Sequence, residues 1–280
     1  MALQVPEDRL IILEDEINYT LPGDPNYINV WGNAKNNGIT GNSLGNSLDG
    51  DAGTDTLVGG AGNDIYWVDQ PNDFPGLIGD VVIERAGEGI DTVNSYVGYA
   101  LGSNVENLVL FDNPDIPITH VISGTGNNLN NTITGNRHDN DLYGRAGNDA
   151  LNGGLGEDTL HGGAGKDTLK GGMGRDVFVF DTKPNKATNL DRITDYNVKD
   201  DTVWLDNAIF TKVGSNGSLK SGAFWTNNTG KAHDKDDRVI YDKDSGVLYY
   251  DADGTGSGKA VAFTTISKNL PVTSKDIFII

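Results

Sequence analysis

Six aspartates in this 280-residue chain fall on a nine-residue grid, and their chemistry is that of a scaffold for hard cations. Asp149, Asp158, Asp167 and Asp176 stand nine residues apart, and Asp55 and Asp64 repeat the interval nearer the N-terminus. Each closes a glycine-rich run and opens a short apolar one. The units GRAGNDALN, GGLGEDTLH, GGAGKDTLK and GGMGRDVFV begin at Gly144, Gly153, Gly162 and Gly171, and GDAGTDTLV and GGAGNDIYW at Gly50 and Gly59. Carboxylates at a fixed period become close neighbours of like charge once the chain coils. A divalent cation that takes six to eight oxygen ligands, as Ca²⁺ does, removes that repulsion. Mg²⁺ and Zn²⁺ fit less well, because the grid offers no rigid small cage and no His or Cys.

Other residues capable of chemistry lack the context that their chemistry needs. His120, His138, His161 and His233 are scattered, none sits in the HExxH spacing of a metalloprotease, and all read as surface or turn residues. Gly41-Asn-Ser43-Leu-Gly45 matches G-x-S-x-G, but a nucleophile elbow needs a strand before it and a helix after it. Here the match lies inside an array of nine-residue turns. Gly254-Thr-Gly-Ser-Gly-Lys259 fails as a phosphate loop, with Asp253 where Gly is needed and Ala260 where Ser or Thr is needed. Asp251-Ala-Asp253-Gly254 begins like an EF-hand loop, but its twelfth position is Ala262 rather than Glu, which favours a turn.

The elements that position the aspartates follow from the same nine residues. Glycines at positions one, two and four are expected to supply the positive φ angles of a tight turn. Position eight is apolar in every unit of the longer array: Ile133, Leu142, Leu151, Leu160, Leu169 and Phe178. Positions seven to nine alternate like a half-buried strand. Each unit is thus a six-residue turn plus a three-residue strand, and two units make one coil. Units n and n+2 then stack about 4.8 Å apart, which places Asp149 over Asp167 and Asp158 over Asp176. One array begins at Gly126 and Gly135 before Gly144, the other at Gly32 and Gly41 before Gly50. In these opening units position six is Asn37, Asn46, Asn131 or Asn140, and position four is Lys35, Leu44, Leu129 or His138. They are expected to bind calcium weakly or not at all.

The pattern GGxGxD-x-aliphatic-x resembles the RTX, or haemolysin-type, calcium-binding repeat. The resemblance implies an all-β fold, a parallel β-roll or β-solenoid closed by a β-rich C-terminal cap, with several Ca²⁺ ions as cofactors. It also implies that turn carbonyls complete each calcium shell: Arg145, Gly147, Gly162 and Ala164 around Asp149 and Asp167, and Gly154, Gly156, Gly171 and Met173 around Asp158 and Asp176. Only these two n/n+2 pairs carry Asp on both sides. The mixed pairs, Asn37 with Asp55, Asn46 with Asp64, Asn131 with Asp149 and Asn140 with Asp158, are expected to be weaker, so the second array should hold the tightest ions.

The division expected along the chain is a partial strand module at 1–31, a first roll at 32–68, a strand-rich segment at 69–125, a second roll at 126–180 and the cap at 181–280. Within the cap, Asp201–Leu205, Arg238–Tyr241, Val247–Tyr250 and Ala260–Phe263 read as strands, and Asp242–Gly246 as a hairpin turn. The ending Asp276-Ile-Phe-Ile-Ile280 resembles the acidic-then-apolar terminus of proteins exported by type I secretion; it also reads as an ordinary last strand.

Charge and hydropathy set the remaining bounds. The formal charge is −19, and residues 1–115 hold 19 Asp and Glu against 3 Lys and Arg. Such a surface repels nucleic acid and attracts cations. There is no Cys, no apolar run long enough to span a membrane, and no basic and apolar leader in Met1–Asp8. The expectation is a secreted, extracellular, non-enzymatic calcium-binding protein with the type I secretion machinery as a partner. The alternatives are a non-catalytic module of an RTX exoenzyme and a membrane-active toxin or ion-channel former.

Overall fold

A three-residue strand makes too few ladder hydrogen bonds to persist alone, so strands this short must be stacked. The computed structural model, which describes residues 10–23, 28–69, 79–112 and 121–280, shows that stacking throughout. No described residue lies in an α-helix. The chain divides into two compact units, Met1–Pro117 with Ile122–Ile133, and Ile118–Val121 with Thr134–Ile280.

In the first unit one parallel sheet runs Leu10–Ile12, Asn29–Trp31, Ser47–Asp49, Ile65–Val68, Thr92–Ser95 and Asn107–Leu110. A second runs Asn18–Thr20, Gly38–Thr40, Thr56–Val58 and Val81–Ile83. The register is the expected two-unit coil: Val30 pairs with Leu48 and Leu48 with Tyr66, each 18 residues on, and Ile39 pairs with Leu57. These position-eight side chains form the core, all fully buried, and the stack continues through Val93 and Leu108.

The second unit has the same construction. Asn140–Tyr143, Thr159–His161, Val177–Phe180, Thr202–Leu205 and Ile277–Ile279 form one parallel run. Ala150–Leu155, Thr168–Met173 and Asp191–Ile193 form the other, which continues through Val261–Thr265 into antiparallel Val247–Tyr250 and Val239–Asp242. Leu142, Leu151, Leu160, Leu169 and Phe178 are all buried, as period nine requires. Beyond the repeats, Phe180, Phe210, Tyr250 and Phe263 take over the core with edge-to-face ring contacts at 5.1–5.4 Å. The expected cap strands form, and so does the hairpin: Asp242 accepts from the Asp244 amide at 3.1 Å and the Ser245 hydroxyl at 2.6 Å, and Gly246 turns the chain with φ +80°. The C-terminal segment is a strand with Ile277 and Ile279 buried against Val203 and Leu205.

Candidate calcium centre

Within each unit, position six forms a ladder. The backbone N–H of Asp149 donates to Asp167 Oδ1 at 2.8 Å, and that of Asp158 to Asp176 Oδ1 at 3.0 Å. The mixed pairs within each unit repeat the contact: Asn37 to Asp55 and Asn46 to Asp64 at 2.6 Å, and Asn140 to Asp158 at 2.7 Å. Asn131 and Asp149 fall in different units. Each carboxylate therefore spends one oxygen on the coil before it.

The other oxygen has no partner. Oδ2 of Asp55, Asp64, Asp158, Asp167 and Asp176 is buried and makes no hydrogen bond, in residues at most 1% exposed. Leaving an ionised oxygen buried and unsatisfied costs at least ~1–3 kcal/mol, so five in one chain call for a common neutralising group. The electrostatics agree. Burial pushes the carboxyl of Asp158 up to about 8, those of Asp55 and Asp64 to about 7 and that of Asp176 to about 6. Burial also raises Asp167 and Asp191.

The position-six oxygens converge with turn carbonyls. A Cβ on Gly144 would stand 2.5 Å from both Asp149 Oδ2 and the Gly162 carbonyl oxygen, and one on Gly153 would overlap Asp158 Oδ2 and stand 2.6 Å from the Gly171 carbonyl. This corrects the reading of position one. Its glycines do not have positive φ; they are glycine because the carboxylate of their own unit occupies the space of a side chain. Positive φ belongs to positions two and four, as at Gly154 (+110°) and Gly156 (+121°), and extends to Arg145 (+76°) and Asp51 (+57°).

Of the other expected ligands, the Arg145 carbonyl accepts from the Ala164 amide at 2.7 Å, that of Ala164 from Gly147 at 3.0 Å and that of Met173 from Gly156 at 3.0 Å. Each carbonyl retains a second lone pair for a cation. The donor set is all oxygen, charged and neutral; Gly154, Gly171 and Met173 lie at the ends of the strands Ala150–Leu155 and Thr168–Met173, and the other members lie between strands. These residues fit Ca²⁺, which would neutralise the stacked carboxylates and join successive coils.

In the opening units an amide stands where the later units have a carboxylate, and it is hydrogen-bonded within the chain. Asn46 Oδ1 accepts from the Asn42 N–H at 2.7 Å, while its Nδ2 donates to the Ile28 carbonyl at 3.2 Å and to Asn42 Oδ1 at 3.3 Å. Asn42 Oδ1 in turn accepts from the Leu44 N–H at 2.9 Å. Asn37 and Asn131 likewise donate to carbonyls of the preceding coil. Ser43 is exposed within one of these turns, between Gly38–Thr40 and Ser47–Asp49, and is on no nucleophile elbow.

The ladder extends beyond the repeats that the nine-residue period reveals. Asp55 N–H donates to Asp80 Oδ1 at 3.0 Å, Asp64 to Asp91 at 2.8 Å, Asp167 to Asp191 at 3.0 Å and Asp176 to Asp201 at 3.1 Å. Asp–Asp steps are therefore not confined to the two pairs of the second array. The missed aspartates carry a signal, D-x-aliphatic, in Asp80-Val-Val, Asp91-Thr-Val, Asp191-Arg-Ile and Asp201-Thr-Val. Their intervals of 24 to 27 residues hide it from an 18-residue frame.

The described histidines have separate surroundings. His138 is fully buried in its turn rather than at the surface, His161 stacks on Tyr143 at 4.4 Å beside Asp181, and His233 stacks on Trp225 and lies with Asp234 and Asp237, a ligand atom of each within 4.8 Å of the others. His120 and Met1–Asp8 lie outside the described residues. The Asp251–Asp253 segment folds on itself as a turn, Asp251 accepting from the Asp253 and Gly254 amides and Asp253 from Gly258.

An all-β parallel roll with this ladder defines a calcium-binding β-roll. Residues 31–74, 125–160 and 153–181 match the RTX calcium-binding nonapeptide repeat in four copies, so the chain carries RTX repeats in these segments. Among solved structures, the extracellular lipase LipA from Serratia marcescens is 18% identical with a TM-score of 0.34; the match covers 91% of this chain and 41% of that one. A search of the curated proteins gave no match.

Proposed function

We propose that this RTX-repeat protein is secreted, carries no catalytic centre of its own, and folds on binding several Ca²⁺ ions outside the cell. The observation that carries the reading is the row of buried, unpartnered Oδ2 atoms of Asp55, Asp64, Asp158, Asp167 and Asp176. Those oxygens would hold the ions with the glycine carbonyls at position one of the following coil, and Asp149, Asp158, Asp167, Asp176, Asp55 and Asp64 are assigned as carboxylate ligands. Calcium supplies charge neutralisation there; the chain supplies the spacing and excludes water with its position-eight core. Secretion is supported by the match between where calcium is plentiful and where such a chain would fold. The absence of enzyme activity is supported by the place of Ser43 in a turn and the dispersal of the histidines.

Calcium calorimetry on the full chain tests the binding reading, with several ions per chain expected and none contradicting it. Assays on ester, peptide and polysaccharide substrates, run in calcium, test the non-enzymatic reading; turnover lost on Ser43→Ala would overturn it.

A further inference from the structure

Three buried carboxylates meet in the first unit where only one of them belongs to a repeat. Asp64 closes the turn before Ile65–Val68, Asp91 the turn before the neighbouring strand Thr92–Ser95, and Glu84 follows Val81–Ile83 on the other sheet. An oxygen from each lies within 4.8 Å of the other two. Two oxygens across a calcium ion, at 2.3–2.6 Å each, are about 4.6–5.2 Å apart. The residues are 1%, 1% and 6% exposed, and Asp64 Oδ2, Asp91 Oδ2 and Glu84 Oε2 are buried without a hydrogen bond. Among the described residues none of the three pairs with Lys, Arg or His. Their remaining oxygens are anchored: Asp64 Oδ1 by the Asn46 amide, Asp91 Oδ1 by the Asp64 amide and Glu84 Oε1 by the Tyr66 hydroxyl.

Tyr66 is the device that makes the cluster. It occupies position eight, where the other units carry an aliphatic residue or Phe, and its hydroxyl reaches from the core to Glu84. A Cβ on Gly59 would overlap both that hydroxyl and Asp64 Oδ2, so the two converge on one spot.

We propose that Asp64, Glu84 and Asp91 form a three-carboxylate calcium site that closes the first array, with Glu84 as a ligand the repeat does not supply and Tyr66 as its positioning residue. Both Glu84 and Asp91 lie outside the matched repeat segments. The inference rests on the calcium-binding reading and adds a charge that the two-aspartate steps lack. Three carboxylates around a divalent ion bind it more tightly than two, since ligand charge tunes affinity.

Calcium calorimetry on the full chain with Glu84→Gln tests this, because the amide keeps the side chain's size and removes one charge. The expected result is a tenfold or greater loss of affinity at one site, the other ions remaining. Unchanged stoichiometry and affinities would overturn the site and leave the repeat sites standing; a wild-type chain that binds no calcium would instead overturn the broader reading. A terbium-loaded crystal of the wild-type chain gives a readout independent of whether the variant folds. An anomalous peak bonded to Asp64, Glu84 and Asp91 is expected, and terbium at other turns but not there would overturn the proposal. Tyr66→Phe should weaken calcium at this site while keeping the carboxylates, and no change in affinity would remove Tyr66 from its positioning role.

Discussion

At position six the two oxygens of one carboxylate have different work. Oδ1 takes a backbone N–H from the coil before it, as Asp176 does from Asp158 at 3.0 Å, and this fixes the rotamer. Oδ2 is then held over the position-one glycine with no donor of its own. The cost of losing a side chain depends on how many Asp–Asp steps it joins. Asp167 stands between Asp149 and Asp191, and Asp176 between Asp158 and Asp201, whereas Asp55 stands between Asn37 and Asp80. Asp167→Ala or Asp176→Ala should raise the calcium concentration at the folding midpoint roughly tenfold or more, with a smaller rise for Asp55→Ala, since ligand charge sets affinity. Calcium titrations followed by circular dichroism check the order, and equal midpoints would contradict it. The period-nine aspartates and the stacking of Asp149 with Asp167 and Asp158 with Asp176 were legible in the sequence. The reason for glycine at position one was not, because it is a contact between residues five apart that only the closed turn creates.

At the scale of the element, the two kinds of turn solve one problem in two ways. A GGxGxD turn leaves an anionic oxygen for a cation, whereas a GNxxxN turn places an amide NH₂ against the preceding coil, as Asn46 does toward the Ile28 carbonyl. The second kind is hydrogen-bonded within the chain. Asn46→Asp removes that donor and adds a charge, at a cost of ~1–3 kcal/mol to the calcium-poor fold. It should raise the folding midpoint in calcium by roughly five- to a hundredfold and add one bound ion at saturation. An unchanged midpoint and ion count would show that the amide contributes nothing. Strand positions were legible because Leu151, Leu169 and their equivalents recur at position eight. The continuation of the ladder to Asp80, Asp91, Asp191 and Asp201 was not. Inserted residues lengthen those turns to intervals of 24 to 27 residues, and a fixed frame cannot follow a variable loop. Glu84 had no sequence signal, since it reaches its site from the opposite sheet.

For the whole molecule, charge decides when the chain is folded. With a formal charge of −19 and its carboxylates buried, the calcium-free fold is opposed by its own ladder. Without metal, burial raises the carboxyls of Asp158, Asp55, Asp64 and Asp176 from an ordinary 3.8 to between about 6 and about 8. The folded chain then binds more protons than the unfolded one across that range, so its stability is greatest in acid and falls as pH rises toward 8. In EDTA, β-structure should accordingly be greater at pH 5 than at pH 8. Calcium should reverse the trend, because its ligands bind deprotonated. A chelated chain whose β-content rose with pH would contradict the assignment of buried, unpartnered carboxylates.

The central claim is that calcium and the ladder fold together, and one comparison tests it most directly: far-ultraviolet circular dichroism of the full chain at neutral pH in excess EDTA and in millimolar Ca²⁺. The account predicts largely disordered repeats in chelator and a cooperative gain of β-structure on adding calcium, reversed by further EDTA. Identical, fully β spectra in both solutions would contradict it, because the buried oxygens of Asp158, Asp167 and Asp176 would then be tolerated without an ion.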